Sequence, residues 1–307
     1  MRRPIVVTGS HRSGTTWVGR MLCLSGEAGY IHEPLNPVRR PSWMKHPVPY
    51  WYVYITEDNE HLYKDDLERA MRFSFPLQNV ARVRRPEQIG MVLSDAGRTV
   101  RPRLSKARPL LKDPFALFSA AWFERRYDAD IVVTVRNPVA FVGSIKRLNW
   151  QFKFKTLLGQ GALMEDWLHP FEKEMRRCRD EDVDVVEQGI VLWNVLHYAI
   201  DRLRLDHPRW AVVRHEDLAR DPSGGFADLY RRCGLTWTPA VERLVAGFST
   251  ADSGAELPMW RHGSVKRDSA GATQTWKMRL TDEEANRVSA GTAEIAALFY
   301  DDAVTSS

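Results

Sequence analysis

The sequence predicts an α/β protein of the P-loop-like type, with a central parallel β-sheet flanked by helices. Two short apolar runs, Pro4-Ile5-Val6-Val7-Thr8 and Ile131-Val132-Val133-Thr134-Val135, have the length and β-branching of strands covered on both faces. Between the first run and a helical stretch from Thr15 to Leu24 lies the loop Gly9-Ser10-His11-Arg12-Ser13-Gly14-Thr15-Thr16. Strand, glycine loop and helix in that order form the context a phosphate loop requires. With 307 residues, 44% of them hydrophobic, the chain can build one large core. Residues 1–307 are read as a single domain, with an irregular insertion at about 35–80 that is rich in proline and aromatic residues.

In such a loop, backbone N–H groups and the positive end of the following helix converge on an anion, and Thr15 and Thr16 add hydroxyl donors. Loops that hold a nucleoside triphosphate place a lysine after the second glycine, where it reaches the β- and γ-phosphates. Here Thr15 takes that position. The substitution points to a nucleotide with a single 5′-phosphate.

The remaining elements follow in order. Tyr30 to His32 reads as the second strand, which leaves Glu33 of Glu33-Pro34-Leu35 at its carboxyl end, where parallel sheets open their ligand crevice. Pro109-Leu110-Leu111 is another apolar run, ending on Lys112. Arg136 closes the strand 131–135, and Asn137-Pro138 starts a helix from about Val139 to Asn149. Leu163 to Cys178, Gln188 to Leu205 and Asp282 to Phe299 read as helices, and Trp210 to Leu218 as a strand and turn. Alternation along a strand places His32 and Glu33 on opposite faces.

Four segments, in order between residue 4 and about residue 280, resemble the sulfotransferase family. They are His11-Arg12-Ser13-Gly14-Thr15-Thr16-Trp17, Lys112-Asp113-Pro114-Phe115, Val135-Arg136-Asn137-Pro138 with Ser144, and Lys266-Arg267-Asp268-Ser269 with Trp276-Lys277. The resemblance implies transfer of a sulfuryl group from 3′-phosphoadenosine-5′-phosphosulfate (PAPS) to a hydroxyl acceptor, a carbohydrate or another bulky alcohol or phenol. It implies adenosine 3′,5′-bisphosphate as the product, and no metal is required by that chemistry, because Arg12, Lys112 and the loop amides supply the positive charge. By resemblance, the 5′-phosphosulfate is held by His11, Arg12, Ser13, Gly14, Thr15 and Thr16. Arg136, Ser144, Lys266, Arg267 and Ser269 hold the 3′-phosphate, and Trp17 and His215 lie beside adenine. Chemistry assigns Arg12 and Lys112 to the charge that builds on the bridging oxygen. Glu33 is the candidate general base, because Pro114 stands where the small-molecule sulfotransferases carry a catalytic histidine; His32 is the alternative.

Composition narrows the other classes. The net charge is +5, yet residues 82–112 hold nine Lys or Arg and two acids. That surplus suits an anionic donor, an acidic acceptor or a solvated face; no recognised nucleic-acid-binding motif accompanies it. No apolar stretch is long enough to span a membrane, and the first strand begins at residue 4, so a cytoplasmic location is expected. Cys23, Cys178 and Cys233 have neither metal-ligand nor redox spacing. The aromatic groups at 43–54 and 150–154 suit an acceptor site, a core or a dimer contact. A P-loop kinase and a non-catalytic nucleotide-binding regulator are the alternative functions.

Overall fold

The computed structural model describes residues 2–38, 43–45, 47–74, 99–100, 102–249 and 275–300. Strands β1 (Ile5–Gly9), β2 (Ala28–His32), β3 (Arg108–Lys112), β4 (Asp130–Val135) and β5 (Ala211–Arg214) form a five-stranded sheet in the order β2-β3-β1-β4-β5. Every neighbouring pair is parallel. The chain leaves β1 towards β2 through helix α1 (Thr15–Met21) and leaves β4 towards β5 on the other side. These connections diverge at the carboxyl ends of β1 and β4, the topological switch point where open α/β sheets bind ligands.

Side chains alternate between two apolar layers, as strands covered on both faces require. Val6, Ile31, Leu111, Ile131, Val133 and Val135 face a core that includes Trp122, Phe141 and Trp193. Ile5, Val7, Leu110, Val132 and Ala211 face a second core with Val18, Met21, Phe226 and Val245. The first layer is supplied by α3 (Ala120–Tyr127), α4 (Pro138–Arg147), the long α6 (Val185–Asp206) and the segment that contains α2 (Lys64–Met71). α1, α8 (Pro222–Arg232) and α9 (Pro239–Ser249) supply the second.

Local chemistry sets the helix starts. Asn137 accepts from the amides of Val139 and Ala140, and Pro138 occupies the first turn of α4. Such caps contribute about 1 kcal/mol each. Asp184 does the same for α6. α10 (Asp282–Ala296) opens on a capping box of Thr281 and Glu284, and Glu284 also binds Lys146 of α4 at 2.6 Å. The helix expected over Leu163 to Cys178 is broken: a π-turn at Met164–Leu168 and a 3₁₀ turn at His169–Phe171 precede α5 (Glu172–Asp180). Pro170 is the cause, since its ring excludes a continuous hydrogen-bond ladder. α7 (His215–Arg220) begins where a turn was expected after β5.

Buried titratable groups give the fold a pH dependence. His197 of α6 is fully buried, stacked on Trp193 at 3.9 Å, and burial lowers its pKa to about 3. His11 is lowered to about 3 by burial and then by Arg12, whereas burial and then Glu33 push Asp113 up to about 7. The two imidazoles contribute stability that is complete above pH 6.5 and is lost as pH falls towards 3. Asp113 has the opposite sign, losing its contribution as pH rises from 3.8 to about 7, so it offsets one histidine. An imidazole neutral when folded and charged when unfolded takes up one proton on unfolding between its two pKa values, so denaturant titrations are expected to show a contribution from His197 of about 1.4 kcal/mol per pH unit over that range. His197→Asn is expected to flatten that slope.

Candidate active site

Backbone geometry shapes the loop after β1. Gly9 has φ 132°, and a Cβ there would stand 2.2 Å from the Thr134 carbonyl of β4. Only glycine allows the loop to leave the sheet so close to its neighbour. Arg12 (φ 68°) and Gly14 (φ 94°) are also left-handed, the latter capping α1. The Ser13 hydroxyl ties the turn internally to the Ser10 carbonyl and outward to the Thr134 hydroxyl, each at 2.5 Å.

His11 turns away from the role of an open loop amide. Its backbone N–H donates to the Tyr52 hydroxyl at 2.9 Å, and its Nδ1 lies 2.6 Å from the same oxygen. A phenolic oxygen can accept twice or accept once and donate once, so the imidazole tautomer sets which of Nδ1 and the hydroxyl is the donor. The ring packs among Phe115, Phe141, Trp150 and Phe152, in surroundings that keep it neutral. Tyr52, itself at φ 55°, belongs to the irregular segment. No local pattern in the sequence marks Tyr52 as a partner of the loop.

Arg12 and Arg136 join the loop to the end of β4. Arg12 Nε donates to Ser144 Oγ of α4 at 3.0 Å, and Arg136 donates to the Arg12 carbonyl at 2.8 Å. The Arg136 carbonyl accepts from the Trp193 indole of α6 at 2.9 Å. Glu216 of α7 accepts from the Asn137 amide at 3.0 Å and from the Tyr300 hydroxyl at 3.1 Å. Arg12, Arg136 and Ser144, distant in sequence, thus share one neighbourhood. His215 is buried against Trp17, their rings 5.6 Å apart, and the Trp17 ring also meets Phe226 at 5.1 Å. Gly14 abuts the His215 ring, where a Cβ would come within 2.5 Å.

Glu33 and Lys112 form the second half of the site. Lys112 is fully buried at the end of β3, in register with His32 on one side and Val7 on the other, and its Nζ forms an ion pair with Glu33 Oε1. Asn36 donates to Glu33 Oε2 at 2.7 Å. The strand ends at His32, and Glu33 adopts φ 45°, so strand alternation stops there. In place of the opposite faces expected from alternation, His32 Nε2 lies 4.0 Å from Glu33 Oε2.

The two aromatic groups also converge. Trp51 meets Phe115 at 4.4 Å and Trp150 at 5.5 Å, and Trp150 meets His11 at 4.4 Å. Both tryptophans are half-buried, while Tyr52, Phe152 and Phe154 are core. Of the basic segment, Arg108 lies at the opposite end of β3 from Lys112, paired with Asp130 at 2.6 Å. Arg103 and Lys106 are exposed. The rest of that segment above residue 81 and below 99, with Arg101, lies outside the described residues, as do Lys266, Arg267 and Ser269.

Tyr52→Phe removes the partner of both the His11 amide and its Nδ1. Denaturant unfolding of that variant is expected to show a loss of about 1–3 kcal/mol, the cost of leaving buried polar groups unpaired.

The Sulfotransferase family profile matches residues 4–239, well over half of the chain. No curated protein sequence matches it. Among solved structures, the sulfotransferase domain from the curacin biosynthetic pathway is 12% identical, with 95% of this chain and 98% of that one covered and a TM-score of 0.48. A sulfotransferase from Mycobacterium avium is 17% identical over 97% of this chain and 76% of that one, at a TM-score of 0.43. One from Mycobacterium tuberculosis is 18% identical over 96% and 77%, at 0.40. On the match over residues 4–239, the chain belongs to the sulfotransferase family.

Proposed function

We propose that this protein transfers the sulfuryl group of PAPS to the hydroxyl of a carbohydrate or another bulky alcohol or phenol, as one domain, with Glu33 as general base. The observation that carries this reading is the ion pair between buried Lys112 and partly buried Glu33 at the carboxyl edge of β2 and β3, beside a phosphate loop that lacks the triphosphate lysine. A base and a cation held together meet the two needs of the reaction, proton removal from the attacking oxygen and neutralisation of the departing one.

PAPS supplies an activated sulfur–oxygen bond to a phosphate leaving group. Around the loop, Arg12, Lys112 and Arg136 form a cationic set suited to its phosphates, with Ser144 and the hydroxyls of Thr15 and Thr16 as neutral donors. Arg12 can grip oxygens in a bidentate fork. Lys112 then exchanges partners: its ammonium turns from Glu33 towards the bridging oxygen. Glu33 Oε1 is thereby released to accept the proton of the acceptor hydroxyl. In the absence of donor, the same pairing holds the base occupied. Trp17 and His215 offer the adenine a buried aromatic wall, and Trp51 and Trp150 offer flat apolar faces to the acceptor. The alcohol oxygen attacks sulfur as the sulfur–oxygen bond to phosphate breaks, and the hydroxyl proton ends on Glu33.

Calorimetry with adenosine 3′,5′-bisphosphate beside ATP, ADP and 5′-AMP tests the donor site without a known acceptor. Selective binding of the bisphosphate, unchanged by Mg²⁺, is expected; preference for ATP with Mg²⁺ would move the assignment to a kinase or a nucleotide-binding regulator. Glu33→Gln is expected to keep bisphosphate affinity while transfer from PAPS falls about 10²- to 10⁴-fold. Arg136→Ala is expected to weaken the bisphosphate instead.

A further inference from the structure

Asp113 directly follows Lys112 and is fully buried. Its carboxylate accepts from two backbone amides that belong to different parts of the chain. Phe115 donates to Oδ1 at 3.0 Å, an ordinary cap for the 3₁₀ turn Pro114–Ser119. Leu35 donates to Oδ2 at 2.6 Å across 78 positions of sequence. That second bond belongs to no helix. Pro34 has no N–H, so the Leu35 amide is the first after Glu33 that can anchor the turn.

The turn needs an anchor. Glu33 has φ 45° and precedes a proline, a combination that side-chain and ring sterics disfavour. Such a conformation persists only where its surroundings over-determine it. On one side, the Glu33 amide donates to the Lys112 carbonyl at 2.9 Å; on the other, Leu35 is held by Asp113, and Asn36 donates back to the Glu33 carbonyl at 3.3 Å. Burial and the charge of Glu33 both disfavour a carboxylate at this point, and only the two amides and Lys112 oppose them. A serine would cap the 3₁₀ turn without that cost. What the carboxylate adds is the reach to Leu35.

We propose that Asp113 is a positioning residue for sulfuryl transfer, whose carboxylate clamps the Glu33-Pro34-Leu35 turn so that the Glu33 carboxylate meets Lys112 and the attacking hydroxyl. This rests on the reading of Glu33 as the base. Asp113 does not touch the reacting atoms; it acts through the backbone two residues after Glu33.

The test uses Asp113→Ser, which keeps a hydroxyl cap for Phe115 but is too short to hold Leu35, with Asp113→Asn as the isosteric second variant. Two readouts are taken on the whole chain: calorimetric affinity for adenosine 3′,5′-bisphosphate, and its release from PAPS with water or 2-naphthol as the attacking hydroxyl. Both variants are expected to bind the bisphosphate within about threefold of the parent and to lose up to about 100-fold in turnover, the scale of a misplaced catalytic group. In the Glu33→Gln background, Asp113→Ser is expected to cost nothing further, because both changes remove one function. Unchanged turnover in Asp113→Ser, or a full additional loss in the Glu33→Gln background, overturns the positioning role and leaves the base assignment standing. Full turnover in Glu33→Gln, or none in the parent protein, overturns the base or transfer reading, and the inference with it. Where Asp113→Ser is not recovered folded, the same comparison in Asp113→Asn decides.

Discussion

A lysine ammonium buried at the edge of a sheet is costly unless it is paired and hydrogen-bonded, since desolvation removes several kcal/mol per ion. Lys112 and Glu33 form such a pair, and much of the surrounding architecture serves it. The parallel register of β2 and β3 sets His32 beside Lys112. A left-handed turn then brings the Glu33 side chain back over the lysine, with Asn36 on its second oxygen and Asp113 beneath the turn. Removal of Glu33 would take from the buried Lys112 the carboxylate with which it is paired.

The phosphate loop is supported in a comparable way by groups that arrive from the rest of the fold. Thr134 of β4 closes against Gly9 and Ser13, Ser144 of α4 holds Arg12, and Arg136 holds the Arg12 carbonyl. Trp193 and Glu216 fix the backbone around Arg136 and Asn137 from α6 and α7, and Glu216 is in turn held by Tyr300 near the end of the described chain. Tyr52 reaches the loop from the irregular segment, where Trp51 also lies. The loop after β1 and the aromatic groups are consequently packed together, and a shift in one is felt by the other through close packing.

Much of this was legible from the chain. β1 and β4 announced themselves as β-branched runs, and the glycine loop between strand and helix located the switch point before any coordinates. Arg12, Lys112, Arg136 and Glu33 were each marked by their place at the end of an apolar run or in the loop. Other features were hidden. The break at Pro170 lay within an otherwise helical pattern, and periodicity outweighed the proline. His32 and Glu33 were assigned to opposite faces because alternation holds only while the backbone stays extended, and Glu33 does not. Tyr52, Asn36 and Glu216 carry no local signal, because the groups they bind lie elsewhere in the chain or depend on a turn that only folding creates.

The sequence by itself determined the fold class, the family and the residue types at the carboxyl edge, because apolar periodicity, glycine placement and the order of motifs are local properties of the chain. Tertiary structure decided which of those residues meet: the Lys112–Glu33 pair, the Arg12–Ser144 contact, the clamp from Asp113 to Leu35 and the Tyr52 hydroxyl on His11. Each joins positions far apart in sequence, and their proximity in space follows from strand order, register and backbone turns that hold only once the two apolar layers have closed over the sheet.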